Sequence, residues 1–439
     1  MRRGRERVES VAAQTSRRKI EQLRICLEEE VERRTRSFDE VFLVHNALPE
    51  VSIAEIETHV EFLSHSLDAP LMIASMTGGH PETKVLNRIF ASVAEREGIG
   101  IGVGSQRAAL EDEKNEESFS IVREYAPHAF VYANIGVVQL RDMGVEAAER
   151  AIEMVDANAI AIHLNFFQEA IQPEGDSDAR GCLAAIEEAC RSLKVPVIAK
   201  ETGAGISRAV ALRLIDAGVS ALDVGGNDGT NLAVAEIHRA KAENNSMLAH
   251  IGNTFGWEWG ISTVESILEC ASLPIEVVAT GGIRSGLDVA KSIALGADLC
   301  SAALPFLKAA VEGLTQKHIS ARTASVADIR FSAAKEESIE RAVERVCERV
   351  REMKAELKIA MFLTGCRSVE RLKSADVVLT GRTREIAEQR GSSLHFRGRE
   401  RDVRQKRSQR RHCEEKGESG KEKYLRAGER GKEGVLRRC

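Results

Sequence analysis

The chain has 439 residues, 43% of them hydrophobic and 4% aromatic, with 62 Lys and Arg against 67 Asp and Glu. That composition supports a packed core, excludes a wholly disordered chain, and is poor in the rings a base-stacking single-strand binder needs. No apolar run approaches the ~18 residues of a membrane span, and the basic Met1-to-Lys19 stretch lacks the apolar segment of a secretory signal, so a cytoplasmic protein is expected.

Residues 16–34 read as an amphipathic helix whose Arg17-Arg18-Lys19 run is either a solvated charge cluster or a clamp for a phosphorylated ligand. Eight short apolar runs follow: Leu71–Ala74, Ile99–Val103, Phe130–Ala133, Ala159–Ile162, Val197–Ala199, Ala221–Val224, Ile275–Ala279 and Leu299–Ala303. Nearly continuous runs of this length suit strands buried on both faces of a parallel sheet. Helix-length segments lie between them, such as Lys84–Gly98, Ser207–Gly218 and Ser285–Gly296, each closed by a glycine. Alternation of this kind predicts an α/β fold, a (β/α)8 TIM barrel. The 54 residues from Ala221 to Ile275 predict an insertion in the sixth unit, which holds both tryptophans.

Glu336–Thr364 reads as a long charged helix with one apolar stripe, packed on the closing face of the barrel. From Gly391 onward 16 Lys and Arg face 8 Asp and Glu, a net of +8 that leaves −13 for residues 1–390. This end has the composition of a disordered basic tail. The expected organisation is an N-terminal helical extension (1–66), a barrel with its C-terminal helices (67–380), and the tail (381–439). Nine cysteines without a C-x-x-C pair suit reduced thiols rather than disulfides or zinc.

Active sites of such barrels lie at the C-terminal ends of the strands. Ser75-Met76-Thr77-Gly78-Gly79 ends the first strand with two hydroxyls and a glycine pair that would let main chain touch a flat ring. Thr77 and Asn134 would bond the polar edges of that ring. Thr280-Gly281-Gly282-Ile283-Arg284 opens the helix after the seventh strand, and free N–H groups there would bind phosphate. Lys200 ends the fifth strand, as a cation facing a flavin, a Schiff-base lysine, or the partner of Glu201. His163 and Asn165 share one face of the fourth strand end, with Gln168 and Glu169 in the loop beyond. One loop carboxylate beside phosphates suits Mg²⁺. No carboxylate pair or Cys/His pair stands out as acid and base, so a cofactor would supply that group.

These motifs, together with Gly104-Ser105-Gln106-Arg107, Asn134-Ile135-Gly136 and Ala360-Met361-Phe362-Leu363-Thr364-Gly365, resemble the type 2 isopentenyl-diphosphate isomerases, the FMN-dependent class. The resemblance runs from about Arg18 to Gly381. It implies interconversion of isopentenyl and dimethylallyl diphosphate by reduced FMN, with NADPH as reductant and Mg²⁺ bridging the diphosphate. FMN would contact Ser75, Met76, Thr77, Ser105, Asn134, Lys200, Thr230, Gly281, Gly282, Ile283, Ala302 and Ala303. Arg18, Lys19, Ser105, Gln106, Arg107 and Gln168 would hold substrate, Glu169 the metal, and Gln168, His163 and Asn165 the reacting end. A homo-oligomer, tetramer or octamer, is also implied, with no membrane and no nucleic acid as partner.

The sequence departs from the family pattern at Asn227-Asp228, where a carboxylate near a flavin phosphate would repel it unless it points away, and at Gln22, where histidine is frequent. The remaining readings are a related FMN oxidoreductase barrel and, remotely, a partner- or nucleic-acid-binding protein acting through the basic tail.

Overall fold

The computed structural model describes residues 18–33, 35–172, 175–242, 244–315 and 331–391. Arg17 and residues 392–439 of the expected tail lie outside them; the first part of that expected tail, Gly381–Gln389, is instead a helix, and Arg390 beyond it bonds Glu269 at 2.6 Å. Eight parallel strands close into a barrel in chain order. They are Leu71–Ile73, Gly100–Gly102, Val131–Gly136, Ala159–Leu164, Val197–Glu201, Ala221–Asp223, Glu276–Thr280 and Leu299–Ala302, and the last pairs with the first. All eight expected strands form. The third and fourth run further than their apolar runs, because main-chain pairing continues through Gly136 opposite His163 and His163 opposite Lys200. Polar side chains at those positions face the mouth without breaking the ladder.

The helices form for the reasons their sequences give. Thr83–Glu97 ends on Gly98 in the left-handed region (φ 60°), and Gly286–Leu295 starts at a Ser285–Asp288 capping box and stops at left-handed Gly296. In the sixth unit, Leu232–Ala242 and Ser246–Gly256 precede the helix Thr263–Cys270, which accounts for the long interval. The charged helix Glu336–Leu363 packs outside the barrel on the helices of the first, seventh and eighth units, over the seam where the last strand meets the first. Among the described residues, no helix is long and apolar enough to cross a membrane.

One end of the barrel is plugged. The hairpin Val60–Phe62 and His65–Leu67 sends Phe62 and Leu67 into a cluster with Met72, Phe130, Tyr132 and Val278. Phe62 meets Phe130 edge-on at 5.5 Å. With that end sealed by apolar side chains, polar residues converge on the other.

The N-terminal segment is tied across that open end. Helical residues 18–28 lead to Val31, which packs on Val234 and Ile237 of the inserted helix. Asp228, 2% exposed, receives Ser37 N at 2.7 Å, Ser37 Oγ at 2.5 Å and Thr263 N at 2.8 Å. The carboxylate therefore points away from the mouth and fastens the extension to the barrel. Asp228→Ala would strand two buried main-chain donors and is expected to cost about 3 kcal/mol. A denaturant midpoint within error of the wild type would contradict this.

Candidate active site

The open end of the barrel holds a cavity of roughly 1450 Å³, its open mouth included. Its walls are the strand ends, and the roof is helix 18–28, which brings Arg18 and Lys19 over the mouth. Most of the expected site residues meet here: Ser75, Met76, Ser105, Arg107, Asn134, His163, Asn165, Gln168, Glu169, Lys200, Thr230, Gly281, Gly282, Ile283, Ala302 and Ala303.

Two expected contacts are placed elsewhere. Gln106 is fully buried behind the wall, its Nε2 donating to Ala151 O at 2.8 Å while its Oε1 accepts from Asn134 N at 2.8 Å. It braces the second and third units instead of reaching a ligand. Thr77 gives its hydroxyl to Asn87 and its carbonyl accepts from Gly104 N at 2.8 Å, so only its main-chain N–H is left for a ligand. The glycine pair Gly78-Gly79 serves packing too, since a Cβ on Gly78 would lie 2.0 Å from Phe119 Cε1.

The expected helix N-terminus after the seventh strand is also spent. Arg284 N and Ser285 N donate to Asp288 Oδ2 at 2.9 and 3.1 Å, and Gly286 N donates to Glu356 at 2.5 Å. What faces the cavity is the turn before it, Gly281-Gly282-Ile283. Gly281 sits at φ 108°, where a Cβ would fall 2.3 Å from Gly226 O. Arg36 holds this turn from outside, bonding Gly282 O at 3.0 Å and Asp288 at 3.1 Å.

Lys200 is paired with Asp223 at 2.7 Å, not with Glu201. The Glu201 side chain turns into the main-chain N–H groups of Gly203, Ala204 and Gly205 and shapes the loop whose Thr202 and Gly203 line the cavity. Burial pushes this carboxyl up to about 7 against the pull of those donors.

Beside Lys200, from the adjacent fourth strand, a relay runs His163 Nδ1 to Asn134 Oδ1 (2.8 Å), and from Asn134 Nδ2 to Ser75 Oγ and to Val103 O (3.1 Å). Burial, then Lys19, Lys200, Arg18 and Arg107, drive His163 down to about 3. Its ring is therefore neutral, and with Asn134 assigned as the Nδ1–H acceptor, Nε2 keeps a lone pair. In the unfolded chain His163 titrates near ~6.5. The unfolded state then binds a proton that the folded site refuses, so stability falls as pH drops from about 6.5 toward 3. His163→Gln should flatten that loss in a denaturation series, and equal slopes would contradict the neutral ring.

The mouth is cationic. Burial lowers Lys19 to about 7, helped by Arg18 and Arg107 and opposed by Glu169. Basic residues gathered at that cost are a grouping that an anion would relieve. Glu169 accepts from Asn165 Nδ2 (2.7 Å), Gln172 Nε2 (2.8 Å) and Asp176 N (2.9 Å). No group of three or more metal-ligating side chains occurs among the described residues, so a metal here would depend on oxygens from its ligand. Sequence reasoning missed Glu236 and Asp223, both buried. Glu236 Oε1 accepts from Gln168 Nε2 (3.2 Å) and Gln22 Nε2 (2.7 Å), so the residue at the position frequent in histidine is part of the network that aims Gln168.

These features fit a flavin nucleotide. A lysine, a paired asparagine and serine, and Thr280, whose buried Oγ1 has no hydrogen-bond partner among the described residues, line the cavity beside a glycine turn. A parallel barrel so furnished defines the flavin-binding class of (β/α)8 proteins. A family model described as FMN-dependent dehydrogenase matches residues 142–316. A solved structure of a Pediococcus acidilactici protein described as a lactate oxidase shares the fold, with a TM-score of 0.52 and 17% identity over 79% of this chain and 85% of that one.

Sequence relatives are much closer. An isopentenyl-diphosphate delta-isomerase of Archaeoglobus fulgidus is 53% identical over 378 residues, 86% of this chain and 99% of that protein. Another, from Methanosarcina mazei, is 50% identical over 383 residues, 87% and 96% of the two chains. The chain belongs to the isopentenyl-diphosphate delta-isomerase family, in its FMN-dependent type 2 class.

Proposed function

We propose that this protein interconverts isopentenyl and dimethylallyl diphosphate with reduced FMN, in isoprenoid biosynthesis. The observation that carries the reading is one cavity lined both by the Ser75, Asn134 and Lys200 strand ends with the Gly281-Gly282 turn and by the Arg18, Lys19 and Arg107 cluster. Ser75, Met76, the Thr77 main chain, Ser105, Asn134 and Lys200 would hold the flavin ring. Thr230, Gly281, Gly282, Ile283, Ala302 and Ala303 would hold its phosphate end.

Reduced FMN would supply the acid–base chemistry, in which a proton adds to the terminal alkene carbon and another leaves the allylic carbon, with no net transfer of electrons. The chain does the rest. Arg18, Lys19, Ser105 and Arg107 bind the diphosphate, and Glu169 holds Mg²⁺ against it. A lone carboxylate suits this ion, which takes one or two carboxylates and fills its shell with phosphate oxygens and water. Neutral His163 and the Asn165 and Gln168 amides surround the hydrocarbon without placing a fixed charge beside the tertiary cation that develops on it. Helix 18–28 covers the mouth and excludes water that would quench that cation.

NADPH is the proposed reductant, and the protein is read as a cytoplasmic homo-oligomer, tetramer or octamer, which light scattering tests. The flavin reading is tested by the absorbance spectrum of the purified protein after addition of FMN. A bound flavin band bleached by NADPH or dithionite is expected, and a protein that retains no FMN would refute it.

A further inference from the structure

Lys200 and Asp223 stand in register on the fifth and sixth strands. Nζ lies 2.7 Å from Oδ2, and only 7% and 2% of the two side chains are exposed. Lys200 is part of the cavity lining, whereas Asp223 lies behind it. The other carboxylate oxygen, Oδ1, is buried without a hydrogen-bond partner, so among the described residues Lys200 is what this carboxylate is paired with. Burial and the Asp223 charge also keep the neighbouring Tyr132 phenol protonated far above its ordinary range.

Charges this deep are screened weakly by solvent and salt. A group resting on Lys200 therefore feels the pair and not a bare ammonium. A bare cation against a flavin favours the reduced, more negative cofactor and weakens its hold on a proton. A cation balanced from behind offers a hydrogen bond with little net field.

We propose that Asp223 is a positioning residue for the flavin: it fixes the Lys200 ammonium toward the cavity and offsets its charge, which sets the preference of the site for reduced over oxidised FMN. This rests on the FMN reading above and extends it to a residue that does not line the cavity. A flavin that must exchange protons without passing on electrons is served by a balanced floor.

The test is an anaerobic reductive titration of the FMN-loaded protein in four forms: wild type, Asp223→Asn, Lys200→Met and the double variant. Asp223→Asn should favour reduced over oxidised FMN about tenfold more than the wild type, a shift of about +30 mV in a two-electron couple. Lys200→Met should shift the potential the other way, and the double variant, which removes the pair as a neutral unit, should return near the wild type. A role confined to packing would loosen both redox forms alike and leave the potential where it is. An unchanged or lower potential in Asp223→Asn overturns the proposal. Should that variant not fold, equal potentials in Lys200→Met and the double variant overturn it. Wild-type protein that binds no FMN would instead overturn the flavin reading, and this inference with it.

Discussion

Gln168→Asn is expected to leave FMN binding intact and to lower kcat for isomerisation about a hundredfold. Gln168 lies on the short helix Phe166–Ile171 that leaves the fourth strand, and its side chain lines the cavity. Its amide is aimed by Glu236, which is fully buried and anchored in turn by Arg239 at 2.6 Å. Asparagine keeps the amide chemistry and shortens its reach by one methylene. The substitution is therefore a displacement and not a loss of function groups, and a displacement of ~1 Å at a reacting centre costs about that factor. The flavin wall is built from other strands, so the bound flavin spectrum should not change. A kcat within threefold of the wild type would place Gln168 away from the reacting carbons.

Glu169→Gln should cost about a hundredfold in kcat/KM and flatten the Mg²⁺ dependence, most of the loss appearing as a raised KM. Glu169 is held by three donors from one helix and its loop, so its carboxylate has a fixed direction. A glutamine would keep the size and lose the charge. The expected loss is that of one metal contact on a diphosphate, about 2–3 kcal/mol. It would also remove the one negative group that raises Lys19 in the cationic mouth. Activity titrated against Mg²⁺ in both proteins separates the outcomes. An unaltered Mg²⁺ profile would mean that this carboxylate is not the metal contact.

The barrel was legible because each of its strands is buried on both faces and therefore reads as an apolar run bounded by small residues. The mouth was legible for a related reason: polar residues that follow such runs are carried to one end by the topology. What could not be read was side-chain direction. Gln106 and Thr77 sit in the expected motifs, yet their polar groups are claimed by Ala151, Asn134 and Asn87 across the fold. Gly78 answers to Phe119, forty-one residues away along the chain. Asp228 looked hostile to a phosphate and proves to be a fastening point for Ser37.

The partners of the site residues were hidden for the same reason. Asp223 lies inside the apolar run Ala221–Val224 as its one charged residue, and only the barrel register sets it beside Lys200. Glu236 lies in the inserted helix Leu232–Ala242, whose sequence signals length and apolarity but not a neighbour. Helix 18–28 carries its cations toward the mouth because Leu23, Leu27 and Val31 are buried, a pattern visible in sequence, whereas the surface that receives them was not.

The central claim is that the flavin acts on protons and returns its electrons to no product. The measurement that tests it most directly is the number of dimethylallyl diphosphate molecules formed from isopentenyl diphosphate per NADPH consumed, under anaerobic conditions with FMN-loaded protein and Mg²⁺. Many turnovers per NADPH, and none before the flavin is reduced, are predicted. One NADPH consumed for each molecule of product, or turnover with the flavin left oxidised, would contradict the account.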